Sequence, residues 1–132
     1  MTIHTSIRNV LLQALKKTLT GATLFDGRPA LVDVTDLPAV AVYLTEAKST
    51  GEYLDGDRWQ AVLHVEIFLK SSSPDSALDA WMEKEIYPAM QNISALDGLI
   101  ESLKPMGYNY RRDEETPTWG SADLLHSITY IQ

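Results

Sequence analysis

The amino-acid sequence predicts an α+β fold: a mixed or antiparallel β-sheet with a long β-hairpin, packed against two to three helices. Residues 5–19 have the apolar periodicity of a helix, whereas residues 58–70 alternate with the period of two that is typical of a strand. The other predicted helices follow one another in the chain instead of alternating with strands. That order favours a sheet with its helices gathered on one face.

The first element is an amphipathic helix over residues 5–19. Thr2 or Thr5 can cap its start, and Gly21 follows the last apolar residue, where a left-handed C-terminal cap favours glycine. The apolar positions recur at helical spacing, at Ile7, Val10, Leu11, Ala14 and Leu15. The outer face is basic and carries Arg8, Lys16 and Lys17.

Four strands and a loop follow this helix in the prediction. Residues 22–25 and 31–34 are short strands, and the near-continuous apolar run within residues 38–47 is typical of a strand buried on both faces. Residues 58–70 form the clearest strand, because one face is apolar and the other carries Gln60, His64, Glu66 and Lys70. Residues 48–57 are polar and contain glycine, so we expect a long hairpin loop there.

A second helix begins near residue 74. Ser73 suits the N-cap, Pro74 suits the first helical position, and Asp75 is favoured at the positive end of the helix dipole. Pro88 ends or kinks this helix. Its apolar stripe consists of Leu78, Trp81, Met82 and Ile86.

The remaining residues predict a third helix over residues 94–103, a strand over 108–112, an acidic turn over 113–117 and a final strand over 121–131. The sheet and the second helix should share one core. Its expected members are Trp59, Leu63, Val65, Trp81 and Met82.

The composition indicates one globular domain over residues 1–132, since 45% of the residues are hydrophobic and 22% are charged. No apolar run approaches the ~18 residues that span a bilayer, and the N-terminal residues lack the pattern of a secretory signal. We therefore expect a protein that is made in the cytoplasm and enters no membrane. The absence of cysteine excludes a disulfide framework, cysteine-ligated zinc and a cysteine nucleophile.

The net charge of −7 disfavours general nucleic-acid binding, which needs a basic surface against phosphates. The charge is uneven along the chain, because the first 25 residues hold three basic and no acidic residues. This basic segment is either a solvated helix face or one half of a charge-complementary contact between copies of the protein.

No catalytic motif is present: the sequence has no nucleophile elbow, no phosphate-binding P-loop and no dinucleotide-binding glycine motif. The histidines His4, His64 and His126 are far apart in the sequence, and none has a metal-type partner four residues on. We interpret them as structural or surface residues and expect no enzyme.

Two pairs of charged residues stand out. Asp75 and Asp79 lie four residues apart on one helix face, so they could bridge a hard cation such as Mg²⁺; the alternative is a solvated acidic face. Arg111 and Arg112 are adjacent on a strand and point to opposite faces, so one of them is on the covered side or at an interface. The alternative is a surface pair beside the acidic turn.

Six strings, taken together, resemble the minor tail protein U family, the tail terminator proteins of lambda-like long-tailed bacteriophages. They run in the same order through nearly the whole chain, although none is by itself a mechanistic signature. The strings are TGATLFDGRPA at residues 20–30, LPAVAVYLT at 37–45, PDSALDAWME at 74–83, IYPAM at 86–90, YNYRRD at 108–113 and SADLLHSITY at 121–130.

The resemblance implies a structural protein that forms a hexameric ring on the tail tube, stops tube polymerisation and provides the surface to which the head joins. The implied partners are the major tail tube protein and the head completion protein, and DNA passes through the ring without specific recognition. The implied location is the head-proximal end of the virion tail, after assembly in the host cytoplasm. The alternatives are a small metal-dependent enzyme built on Asp75, Asp79 and a histidine, and a free cytoplasmic binding module.

A ring of identical subunits needs two unlike surfaces that meet. The basic first helix and the acidic second helix are the expected pair, and we expect no cofactor beyond Mg²⁺ acting on assembly. The candidate interface residues are Arg8, Lys16, Lys17, Tyr53, Leu54, Asp75, Asp79, Glu83, Arg111 and Arg112.

Overall fold

A five-stranded sheet organises the chain in the computed structural model, which describes residues 2–19, 21–28, 37–51, 57–70, 74–91, 93–112 and 119–132. The strands are β1 (Thr23–Asp26), β2 (Ala39–Ser49), β3 (Arg58–Lys70), β4 (Ser102–Arg112) and β5 (Trp119–Ile131). Their order in the sheet is β1-β2-β3-β5-β4. Only the β1–β2 pair is parallel among these strands, so the predicted mixed sheet and α+β class are confirmed.

Strand β3 holds the sheet together. It pairs with β2 on one side, and on the other side all 13 of its residues pair with β5, from Arg58 opposite Ile131 to Lys70 opposite Trp119. The predicted bounds of β3 are confirmed. Strand β2 extends to Ser49, beyond the predicted residue 47, through a register shift that contains Glu46 at φ 55°. The loop is therefore shorter than predicted, and its residues 52–56 lie outside the described residues, as do residues 31–34 and 113–117.

Helix α1 (Ile3–Thr18) covers the β1–β2 end of the sheet. The Thr2 side chain caps its start by accepting a hydrogen bond from the Thr5 amide, and Gly21 adopts a φ of +91° after its end. His4 Nε2 lies 2.6 Å from the Tyr130 hydroxyl, which joins the helix to β5. The predicted apolar stripe is confirmed, and its fully buried members are Ile7, Leu11 and Leu15.

Helix α2 (Pro74–Trp81) lies on β3 and β5 and continues into a π-helical segment, Met82–Ile86, and a short helix α3 (Tyr87–Ala89). The Tyr87 amide donates to the Met82 carbonyl, five residues back, directly before Pro88, which has no amide hydrogen to donate. The helical backbone continues through Pro88, which lies in the first turn of α3, and ends at Met90. The buried residues of this region include Leu78, Met82 and Ile86, whereas Trp81 is half-buried.

One hydrophobic core fills the space between the helices and the sheet. Leu63, Val65 and Met82 are buried in it, and Trp59 and Trp81 pack against its margin, which confirms the predicted shared core. No helix among the described residues is long and apolar enough to cross a membrane.

The predicted third helix over residues 94–103 is wrong. Only Ser94–Leu96 is helical, as a single 3₁₀ turn, and β4 begins at Ser102. Leu103 lies opposite Ile128 in the β4–β5 ladder, where its side chain packs against the core. Pairing with β5 outweighs the local helical spacing, because it satisfies the backbone groups along that side of the strand.

We predict that His126 makes the stability of the protein sensitive to acid. The side chain is 2% exposed, its Nδ1 has no hydrogen-bond partner in the described part of the chain, and burial lowers its pKa from the ordinary value of 6.5. The unfolded chain therefore binds this proton more readily than the folded one. The stability that neutral His126 allows is fully present above about pH 6.5. The free energy of unfolding then decreases as the pH falls below this value, by no more than about 1.4 kcal/mol per pH unit.

Denaturant unfolding of the wild type and of His126→Gln, between about pH 7.5 and pH 5.5, tests this prediction. The wild type should lose more free energy of unfolding over this interval than the variant, which cannot titrate at that position. Equal losses in the two proteins would show that His126 is protonated in the folded state without cost.

Candidate assembly surfaces

Two unlike surfaces lie at opposite ends of the sheet. We define the acidic–tyrosine surface as Asp79, Glu83, Tyr108 and Tyr110, where α2 and the π-helical segment approach the edge strand β4. We define the basic flank as Arg8, Lys16 and Lys17 on α1, which covers β1 at the other edge.

Tyr108 and Tyr110 are on the helix-bearing side of β4, because they lie opposite the core residues Leu124 and Ala122 of β5. The two rings meet edge to face, with 6.4 Å between their centroids, yet they stay 38% and 44% exposed. The Tyr110 hydroxyl donates a 2.5 Å hydrogen bond to Asp79 Oδ1. This bond fixes α2 to the edge of the sheet and holds the ring pair in one orientation.

The carboxylates change the acidity of both phenols. The hydrogen bond to Asp79 is the main cause that raises the pKa of Tyr110 to about 12. Partial burial, followed by the negative charge of Glu83, raises the pKa of Tyr108. Both carboxylates therefore border the tyrosines. Exposed aromatic rings of this kind are enriched at protein–protein interfaces.

The acidic pair has few additional ligands to offer a cation. Asp75 is exposed in the first turn of α2, and Asp79 is half-buried with one oxygen already accepting the Tyr110 hydroxyl. Within the ranges that the structure describes, no group of three or more histidine and acidic side chains is placed to hold a metal. The predicted Mg²⁺ site at Asp75 and Asp79 stays a prediction.

The three cations of the basic flank differ in their surroundings. Arg8 Nε lies 2.6 Å from Asp26 Oδ1, so much of its charge is compensated inside the subunit. Lys16 and Lys17 are exposed in the last turn of α1, and neither forms an ion pair with another described residue. The uncompensated positive charge is therefore at the C-terminal end of the helix, where the helix dipole also favours it.

An open groove of about 610 Å³ separates α1 from β1. Leu12, Leu19, Ala22 and Leu24 supply apolar lining, and Lys16 lies at the groove as well. The lining therefore combines apolar side chains with one uncompensated cation.

The structure describes four of the candidate interface residues only in part or not at all. Tyr53 and Leu54 lie outside the described residues. Arg111 and Arg112 end β4, where their backbones pair with Ser121 and Gly120, but their side chains lie outside the described part of the chain.

A buried polar network on the opposite face of the sheet was missed by the sequence reasoning. His64 Nδ1 lies 2.7 Å from Asp123 Oδ2, and its Nε2 lies 2.7 Å from the Thr45 hydroxyl. The Tyr43 hydroxyl donates to Glu66 Oε1 at 2.7 Å, and burial raises the pKa of this phenol. The alternation of β3 placed His64 and Glu66 on one face correctly, but the polar side chains of that face did not themselves indicate that it is buried.

The described residues thus form a small α+β domain with unlike surfaces at its two ends. The family model described as phage minor tail protein U matches residues 2–130, and the chain belongs to that family. It is a structural protein of the phage tail and not an enzyme.

Two relatives are described as tail tube terminator proteins. The protein from Escherichia phage lambda is 59% identical over 127 residues, covering 96% of this chain and 97% of the relative. The protein from Escherichia phage N15 is 51% identical over 128 residues, with the same coverage. A chain in the virion of a native gene transfer agent particle shares the fold, with a TM-score of 0.57, 12% identity and 96% of each chain covered.

We predict that Asp79→Asn lowers the pKa of Tyr110 from about 12 toward the ordinary value of 10, because the phenol loses its charged acceptor. Ultraviolet absorbance at about pH 11 should detect more tyrosinate in the variant than in the wild type. Asp75→Asn is the matched control, since Asp75 is not among the groups that raise this pKa. Equal tyrosinate in Asp79→Asn and in the control would mean that the Tyr110–Asp79 bond does not persist in solution.

Proposed function

We propose that this protein is the tail tube terminator of a long-tailed phage: a homo-hexameric ring that caps the tail tube, stops its polymerisation and provides the surface for head joining. The observation that carries the proposal is the likeness to two tail tube terminator proteins, at 59% and 51% identity over 96% of the chain.

The position of the two surfaces supports a ring. Strands β1 and β4 are the two edges of one sheet, so the basic flank and the acidic–tyrosine surface lie apart on each subunit. Contact between unlike surfaces is heterologous, and it closes into a ring when the rotation between neighbours is right. Each exposed ion pair contributes only ~0–1 kcal/mol, so the charges act together across all the interfaces.

The proposed partners bind the two faces of the ring. The major tail tube protein lies below it and the head completion protein above it, at the head-proximal end of the tail. DNA passes through the ring without specific recognition, which agrees with the net charge of −7. The ring assembles on the tube in the host cytoplasm.

Mg²⁺ favours the ring in this proposal. Asp75 and Asp79 are one helical turn apart, so their carboxylates repel one another. A divalent cation bound between the two carboxylates removes this repulsion. The acidic helix can then pack close to a neighbouring subunit. The cation is a regulator of assembly and has no catalytic role.

We predict that a phage lacking this protein makes tail tubes longer than normal that do not join heads, because nothing ends their polymerisation. Electron microscopy of lysates would measure tube length and the fraction of tubes with heads. Supplying the wild-type chain from a plasmid should restore both. Tubes of normal length without the protein would contradict the proposed role.

We also predict that the balance between monomer and hexamer responds to charge. Mg²⁺ should shift wild-type subunits toward the hexamer, and the Asp75→Ala variant should be shifted in the same direction. The double reversal Lys16→Glu/Lys17→Glu should shift the balance toward the monomer. Analytical ultracentrifugation at low and high salt would measure both effects, since salt screens exposed charges. Thr18→Glu is a control on the same turn that adds one negative charge without removing a lysine. An unchanged balance in every case would mean that apolar contacts alone hold the ring.

A further inference from the structure

We propose that the groove between α1 and β1 of one subunit receives Met106 and Tyr108 from β4 of the next subunit. This inference rests on the proposed ring and identifies which side chains meet within it. The occupant of the groove is a second copy of this chain.

The groove is suited to apolar side chains. Its volume is about 610 Å³, and its apolar lining comes from α1, β1 and the residues between them. Leu12 and Leu24 are half-buried within the subunit, so part of each side chain still faces solvent. Covering that remaining apolar surface would stabilise a contact between copies.

The opposite edge of the sheet presents protruding side chains of matching character. Met106 is 58% exposed and is the extra residue of a β-bulge, between Pro105 opposite His126 and Gly107 opposite Leu125. Gly107 has a φ of +137°, a conformation that residues with a side chain rarely adopt, so the shape of the bulge depends on glycine. Tyr108 follows directly and stacks edge to face on Tyr110, which Asp79 holds in place.

The charges around the groove and around the tyrosines are complementary. Lys16 lies at the groove without an ion-pair partner among the described residues, while Glu83 and Asp79 border Tyr108. Asp26 also lies at the groove, but its pairing with Arg8 reduces its repulsion of an incoming carboxylate. Lys17 instead lines a neighbouring depression that faces residues 93–95 and shares Asn9 and Gln13 with the groove. The contact therefore involves Lys16 more than Lys17.

Cross-linking tests the contact directly, because the chain has no cysteine of its own. Met106→Cys subunits are mixed with Gln13→Cys subunits, whose altered position is exposed and lines the groove. The mixture is treated with a short bis-maleimide under conditions in which the wild type forms rings. The control mixture replaces Gln13→Cys with Ala47→Cys, an exposed position on β2 outside the groove lining.

The expected result is a cross-linked dimer in the Gln13→Cys mixture, at least about tenfold more abundant than in the Ala47→Cys mixture. Lys16→Glu should lower the yield of rings and of this cross-link more than Lys17→Glu does. Circular dichroism of each variant confirms that it is folded.

Rings that form without preferential cross-linking at Gln13, or whose yield falls equally in Lys16→Glu and Lys17→Glu, would overturn this inference and leave the proposed function intact. Wild-type subunits that form no ring on tail tubes would overturn the proposed hexamer and this contact with it. The oligomeric state of the wild type therefore separates the two failures.

Discussion

The constraint on which the structure depends is that β3 is a strand without a solvent face. Every residue from position 63 to position 68 is buried, although two of them are His64 and Glu66. Burying these groups is costly unless each has a partner, and Asp123 and Tyr43 on the flanking strands provide them. The same ladder leaves β1 and β4 as the edges among the described strands, and the two unlike surfaces of the molecule lie at these edges.

The elements with long, regular patterns could be predicted from the sequence. The alternation along β3 gave its bounds without error, and the stripe of α1 identified its buried residues. The region before β4 could not be predicted, because Leu96, Leu99 and Leu103 fit a helix as well as they fit a turn followed by a strand. Pro105 and Gly107 further weakened the strand signal, although an edge strand with a bulge tolerates both.

The candidate site was predictable in its charges but not in its geometry. Sequence spacing placed Asp79 and Glu83 on the acidic helix, yet it could not show that β4 runs beside them. The bond from Tyr110 to Asp79 joins residues 31 positions apart, and no local pattern carries such information. Arg8 was selected for its charge as an interface candidate, but it pairs with Asp26 within its own subunit.

The irregular course of β4 bears on whether copies of this chain can pair edge to edge without limit. An exposed edge strand is a template on which further strands can add without limit, and such growth ends in fibres. Here Pro105 offers no amide hydrogen to an incoming strand, and the extra residue at Met106 puts the backbone groups out of step with any regular partner. The edge at β4 is therefore a poor template for the addition of further copies of this chain.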